Sequence, residues 1–182
     1  MADLMGLILI TGGARSGKSS YAVQLAAESR RRVVYVATAE PLDAEMTKRI
    51  DQHRAERPPS WHTIEEPLHP CRAAREAAAP DSFVILDCLT LWVSNLLTDF
   101  DSKHEPAAAP ARSAALEDLQ CLRDLPTDAA VAVVTNEVGL GIVPDNALAR
   151  AYRDLLGEVN QELALRADEV QLMVSGIALR LK

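Results

Sequence analysis

Gly12-Gly13-Ala14-Arg15-Ser16-Gly17-Lys18-Ser19 follows the apolar run Leu7-Ile8-Leu9-Ile10 and precedes Ser20-Tyr21-Ala22-Val23-Gln24-Leu25-Ala26-Ala27-Glu28. The octet fits the pattern G-x-x-x-x-G-K-[ST], and the buried strand before it and the helix-forming stretch after it are the context that pattern requires. Its glycines let the backbone turn where a Cβ would clash. Successive N–H groups and the positive end of the following helix then point at a bound polyphosphate. Lys18 adds a full positive charge for the terminal phosphates, and Ser19 supplies a hydroxyl for Mg²⁺. The stretch reads as a phosphate-binding loop between strand and helix.

Working outward, short β-branched runs recur between helical stretches. Val33-Val34-Tyr35-Val36-Ala37-Thr38, Phe83-Val84-Ile85-Leu86-Asp87 and Ala129-Ala130-Val131-Ala132-Val133-Val134-Thr135-Asn136 read as fully buried strands, and residues 168–174 as a last core strand. An apolar run ending in an acid, as at Asp87, is how a phosphate-loop fold holds Mg²⁺ beside the loop hydroxyl. Residues 43–54 place Met46, Ile50 and His53 on one helix stripe, stopped by Pro58-Pro59. A short extended segment over 61–66 and an alanine-rich helix over 72–79 follow. Residues 89–97 read as a helix on the sheet, its apolar residues being candidates for core or for an interface between subunits. Residues 99–112 carry no period and read as a loop, 113–125 as a helix, and Gly139 and Gly141 as backbone requirements of the exit loop after Asn136. Asp145 or Asn146 caps a helix reaching Arg166, and 177–181 reads as an antiparallel edge strand after the Ser175-Gly176 turn. The expected fold is α/β: one three-layer P-loop NTPase (RecA-like) domain over 1–182, with a mostly parallel sheet and a C-terminal antiparallel edge strand.

With 182 residues, 48% hydrophobic and 25% charged, the composition is that of an ordinary globular domain. A net charge of −7 argues against broad binding to nucleic acid or anionic membranes, which leaves phosphate recognition to a local site. Cys71, Cys88 and Cys121 form no C-x-x-C pair and suggest neither a disulfide framework nor a thiolate zinc site, consistent with a reducing cytoplasm. The apolar stretch near residue 7 lacks a basic flank and runs straight into the loop, so neither an export signal nor a membrane anchor is expected.

On these residues alone three readings stand. The chain phosphorylates a small hydroxyl compound with His53 structural, or it uses His53 as a nucleophile between Arg49, Arg54 and Arg57, or it is a nucleotide-driven binding module. A neutral imidazole is a competent nucleophile towards phosphorus near pH 7.

The octet is accompanied by Ala37-Thr38-Ala39, by Arg49-Ile50 with His53-Arg54 and Arg57-Pro58, and by Asp87-Cys88-Leu89-Thr90-Leu91-Trp92 with Asn95-Leu96-Leu97. Thr135-Asn136-Glu137-Val138-Gly139 with Gly141-Ile142-Val143-Pro144 completes the set. Together they closely resemble the bifunctional adenosylcobinamide kinase / adenosylcobinamide-phosphate guanylyltransferase family of cobalamin biosynthesis, over residues 8–182. The resemblance implies two reactions. ATP or GTP phosphorylates the aminopropanol hydroxyl of adenosylcobinamide, and GMP then passes from GTP to adenosylcobinamide phosphate through a GMP-histidine intermediate, giving adenosylcobinamide-GDP and pyrophosphate. The motif position of that histidine falls on His53. Some members carry two adjacent histidines here, where this chain has Gln52-His53.

The resemblance further implies nucleotide binding by Gly12, Gly13, Ala14, Arg15, Ser16, Gly17, Lys18, Ser19, Val36, Ala37, Thr38, Arg54, Ala55, Glu56, Arg57, Glu65 and Asp87. It implies too that Lys18 is catalytic with His53, that Ser19 and Asp87 hold Mg²⁺, that Glu65 faces the guanine edge, and that the assembly is a homotrimer. His62, His69 and His104 receive no chemistry, and Asn136 and Glu137 are placed at the substrate edge without a stated partner. A phosphate loop presents a γ-phosphate, whereas His53 must reach the α-phosphorus, so residues 43–59 are expected to move when nucleotide binds.

Overall fold

Apolar runs too short for buried helices become strands in the computed structural model, which describes residues 5–55, 57–102 and 108–182. They are β1 (Gly6–Gly12), β2 (Arg32–Ala37), β3 (His62–Glu65), β4 (Ser82–Asp87), β5 (Ala130–Val134), β6 (Glu169–Val174) and β7 (Ile177–Arg180). They form one sheet in the order β3-β2-β4-β5-β1-β6-β7. Every neighbouring pair is parallel except β6 and β7, which pair antiparallel. The α/β, mostly parallel architecture with an antiparallel C-terminal edge is thus the one that the alternation predicts.

Between the strands lie α1 (Lys18–Ser29), α2 (Ala44–Ala55), α3 (Pro70–Ala77), α4 (Leu89–Ser102), α5 (Ala108–Gln120), a single 3-10 turn over Cys121–Arg123, and α6 (Ala147–Arg166). The period of two in the strands divides the core. Leu7, Leu9, Val34, Val36, Val84, Leu86, Val131 and Val133 face the buried residues of α3 to α6. Ile8, Ile10, Val33, Tyr35, Phe83, Ile85, Ala132 and Val134 face Ala22 and Ala26 of α1. Each of the larger side chains contributes about 1.5–3 kcal/mol through removal from water. Trp92, fully buried on α4, satisfies its indole N–H on the Leu68 carbonyl at 2.9 Å.

Helix boundaries follow local chemistry. Asp43 caps α2 by accepting from the Met46 N–H at 2.7 Å, and Asn146 caps α6 through the Ala149 N–H at 3.1 Å. The first turn of α3 is capped from a distance. The Cys71 and Arg72 N–H groups donate to the two oxygens of Asp118 on α5, which is 1% exposed. Burial pushes the Asp118 carboxyl above its ordinary range, against the pull of those N–H groups.

Two sequence expectations are corrected and one alternative is resolved. Residues 99–112 are not a loop throughout, because α4 continues to Ser102 and α5 begins at Ala108, with 103–107 outside the described residues. Alanines are the strongest helix formers, and Pro110 sits in the first turn of α5, where its missing N–H forfeits no helical bond. Of the two readings left open for the apolar residues of α4, core packing holds for Leu89, Trp92, Val93, Leu96 and Leu97, which are buried in this chain's own core. Neither Gly139 nor Gly141 adopts a positive φ, and a Cβ at Gly139 would meet open space.

Replacing Asp118 with alanine leaves both α3 donors unpaired in the core. Stability should fall by about 2 kcal/mol, read as a lower urea midpoint at unchanged slope.

Candidate active site

Parallel strands that end in the same row put their exits side by side. Glu65, Ala37, Asp87, Val134 and Ile10 are register partners in turn across β3, β2, β4, β5 and β1. Ligands of open α/β sheets collect beyond such carboxyl ends. A cleft of about 760 Å³ opens there.

The phosphate loop forms one wall. Gly12 takes φ +146° with its Cα packed so closely that a Cβ would collide with the Met173 carbonyl, and Gly17 takes φ +96° as the left-handed N-cap of α1. The Lys18 ammonium, nearly buried, donates to the Gly13 carbonyl at 2.6 Å. Desolvation lowers the Lys18 pKa, partly offset by the acid at Asp87. Ser19 and Asp87 line the same cleft. Among the described residues no group of three or more His, Cys, Asp or Glu side chains could hold a metal ion. Two hard oxygen donors in the cleft beside the phosphate loop fit the chemistry of Mg²⁺, which keeps waters and takes its remaining ligands from phosphates.

Behind Asp87 lies Tyr35, whose hydroxyl donates to Asp87 Oδ2 and whose ring carries the Arg57 guanidinium 3.4 Å from its centroid. Burial and the neighbouring Asp87 push the Tyr35 phenol far above its usual range, so it stays a donor. The turn after β4 is tied to β2. The Cys88 N–H donates to Thr38 Oγ1 at 2.9 Å, and Asn95 Nδ2 donates to the Thr38 carbonyl at 2.8 Å.

The facing wall comes from α2 and the segment after it. No side chain of α2 whose exposure is described is buried, and the half-buried ones, Met46, Ile50 and His53, form the stripe expected from sequence. His53, Arg54 and Arg57 all line the cleft. Arg54 forms an ion pair with Glu65, joining the end of α2 to the end of β3.

The structure therefore brings Ala14, Arg15, Ser16, Gly17, Lys18, Ser19, Ala37, His53, Arg54, Arg57, Glu65 and Asp87 to one cleft. Gly12 is buried against the Met173 carbonyl, and Gly13 is exposed and offers its carbonyl to Lys18. Val36 instead faces the core beneath α3 to α6, Thr38 is fully buried, and Ala55 is exposed at the end of α2. Glu56 and His104 lie outside the described residues. Asn136 also lines the cleft, its buried amide oxygen without a hydrogen-bond partner. Tyr35 was not singled out from sequence. Its place two residues before Ala37 puts it on the cleft face of β2, but only the β2–β4 register brings Asp87 within its reach.

Among nucleophiles, burial and Asp87 push the Cys88 thiol up to about 11, so it is neutral near pH 7. Among the described residues His53 is the imidazole that lines the cleft.

The model of the family described as cobinamide kinase / cobinamide phosphate guanyltransferase matches residues 8–181. The chain is 44% identical to the bifunctional adenosylcobalamin biosynthesis protein CobU of Escherichia coli K12, covering 97% of this chain and 99% of that one. It is 45% identical to the bifunctional adenosylcobalamin biosynthesis protein CobP of Pseudomonas aeruginosa, covering 96% of each. Among solved structures, the assembled ATPase EscN of an enteropathogenic E. coli type III secretion system superposes with TM-score 0.61 at 14% identity. That match takes in 94% of this chain but 43% of EscN, and it shows the P-loop ATPase fold alone.

Lys18→Met removes the one ammonium seated in the phosphate loop. Loss of a charged hydrogen bond should weaken GTP binding by about 10-fold or more, measured by titration calorimetry, with the circular dichroism spectrum unchanged.

Proposed function

The chain belongs to the cobinamide kinase / cobinamide phosphate guanyltransferase family, and from that premise we propose that both reactions run in the single cleft at the sheet edge. The enzyme phosphorylates the aminopropanol hydroxyl of adenosylcobinamide and transfers GMP to the resulting phosphate. The observation that carries the one-cleft reading is that His53 and the phosphate loop line the same cavity.

In the first reaction the acceptor hydroxyl oxygen attacks the γ-phosphorus of ATP or GTP, its proton passing to solvent, and the bond to the β-phosphate oxygen breaks as the nucleoside diphosphate leaves. The loop N–H groups and Lys18 receive the charge that builds on the equatorial oxygens. In the second, a ring nitrogen of His53 attacks the α-phosphorus of GTP. The N–P bond forms as the bond to the β-phosphate oxygen breaks and pyrophosphate departs. An oxygen of adenosylcobinamide phosphate then attacks the same phosphorus, and the N–P bond breaks. Arg54 and Arg57 offset the negative charge around His53. Mg²⁺, held by Ser19 and Asp87 with the phosphates, supplies further charge neutralisation when bound. Glu65 accepts from the guanine N1–H and amino group. It lies two strands from Asp87 in one register row, about 10 Å along the sheet edge, so base and phosphates lie along that edge.

Guanine can take Glu65 only if Arg54 releases it. An ion pair with both partners more than half exposed contributes at most about 1 kcal/mol, so the exchange is easy. The homotrimer implied by the resemblance cannot use the five α4 residues buried in the core. Leu140, Ile142 and Val143, in the segment between β5 and α6, are strongly exposed and offer an apolar face.

Two outcomes test the scheme. Incubation with GTP and Mg²⁺ should add one GMP to the intact protein, labile to acid and absent from His53→Ala, as read by mass spectrometry. Phosphorylation of adenosylcobinamide by a chain that never forms the adduct would leave a kinase with a structural His53. In a GTP-bound structure superposed on the sheet, residues 43–59 should be displaced relative to the free form. An unmoved α2 with His53 already in line with the α-phosphorus would refute the movement.

A further inference from the structure

Tyr35 belongs to no part of the scheme above, yet it touches both halves of the cleft. It is 2% exposed, in the middle of β2, and shares a sheet face with Ala37. On the neighbouring strand, Ile85 and Asp87 share that face. Because Asp87 pairs with Ala37, the phenol runs one side-chain length towards the strand exit to reach the carboxylate. A phenol that only filled the layer under α1 could be replaced by phenylalanine without loss. Here its hydroxyl ends on Asp87 Oδ2, which leaves Oδ1 as the oxygen not engaged by Tyr35. The same ring is the platform for Arg57. The Arg57 Nε is buried without a hydrogen-bond partner, so the ring face supports the guanidinium there.

We propose that Tyr35 is the positioning residue of this active site: its hydroxyl sets which oxygen of Asp87 is presented to the metal and phosphates, and its ring holds Arg57 at the cleft wall. This rests on the reading of Asp87 as the Mg²⁺ carboxylate. The two functions of one side chain separate by substitution. Tyr35→Phe keeps the platform and removes the donor, whereas Tyr35→Leu removes both. Partners that orient a metal-binding carboxylate are typically worth 10–100-fold in metal affinity.

The experiment titrates the full chain with Mn²⁺ in the presence of the α,β-methylene analogue of GTP, without acceptor, following free Mn²⁺ by electron paramagnetic resonance. Nucleotide affinity without metal is measured alongside. Tyr35→Phe should weaken Mn²⁺ binding about 10-fold with metal-free nucleotide affinity unchanged, and Tyr35→Leu should weaken both. In an Asp87→Asn background, Tyr35→Phe should add less than about 2-fold, because the two side chains act as a unit. If Asp87→Asn weakens Mn²⁺ binding and Tyr35→Phe does not, the role of Tyr35 is overturned while that of Asp87 stands. If Asp87→Asn has no effect, the premise fails and the proposal with it. An equal loss on Tyr35→Phe in both backgrounds marks a structural effect and overturns the proposal. Should Tyr35→Phe not fold, the unaltered protein decides. The Tyr35 hydroxyl proton resonance should move when Mg²⁺ joins the bound analogue, and a resonance indifferent to Mg²⁺ overturns the proposal.

Discussion

A polyphosphate held by backbone N–H groups requires a loop with no side chains in the way and no freedom to relax. In this protein the loop meets that requirement by being wedged. The Ser16 carbonyl accepts from the Gly176 N–H at 2.9 Å, and the turn between β6 and β7 lies so close to Gly17 that a Cβ there would stand 3.3 Å from the Gly176 Cα. Gly12 is pinned in the same way against the Met173 carbonyl. The wedge works because β1 sits between β5 and β6 in the sheet interior, where both of its edges are hydrogen-bonded. The position of Lys18 and the start of α1 both follow from it.

The cleft therefore has walls of unequal stiffness. One is the loop and the row of strand exits, backed by two apolar layers. The other is α2, whose half-buried stripe of Met46, Ile50 and His53 is its deepest contact. An element with little buried apolar surface opens at low free energy. That asymmetry suits an enzyme whose first reaction needs a still phosphate cradle and whose second needs an approach to a different phosphorus atom.

Most of the fold was legible because its signals were local and mutually consistent. The octet, the β-branched runs and the stripe on α2 each announce one element, and their alternation dictates a parallel sheet. The loop residues and Asp87 could be placed at one edge for the same reason, since strand exits on a parallel sheet lie together, whereas His53, on a helix, was placed by the resemblance alone. What escaped depended on register or on distant partners. Tyr35 looks like any core aromatic until β2 and β4 are aligned, and Asp118 looks like a surface acid until α3 is set against α5. The segment around Pro110 was misread because a proline usually breaks a helix, and only its position in a first turn excuses it. The apolar residues of α4 were ambiguous between core and interface because a helix packed on a sheet and a helix packed on a neighbour carry the same stripe.

The wedge also dictates the order in which the protein can become active as it is made. β1 and the phosphate loop leave the ribosome before the partners that shape them, β5, β6 and the turn at Gly176, which lie far along the sequence. Pairings so distant in sequence form late. A nascent chain thus carries its phosphate loop as an unshaped, glycine-rich segment until those partners emerge. It becomes able to grip a nucleotide once the hairpin of β6 and β7 has emerged and closed behind the loop.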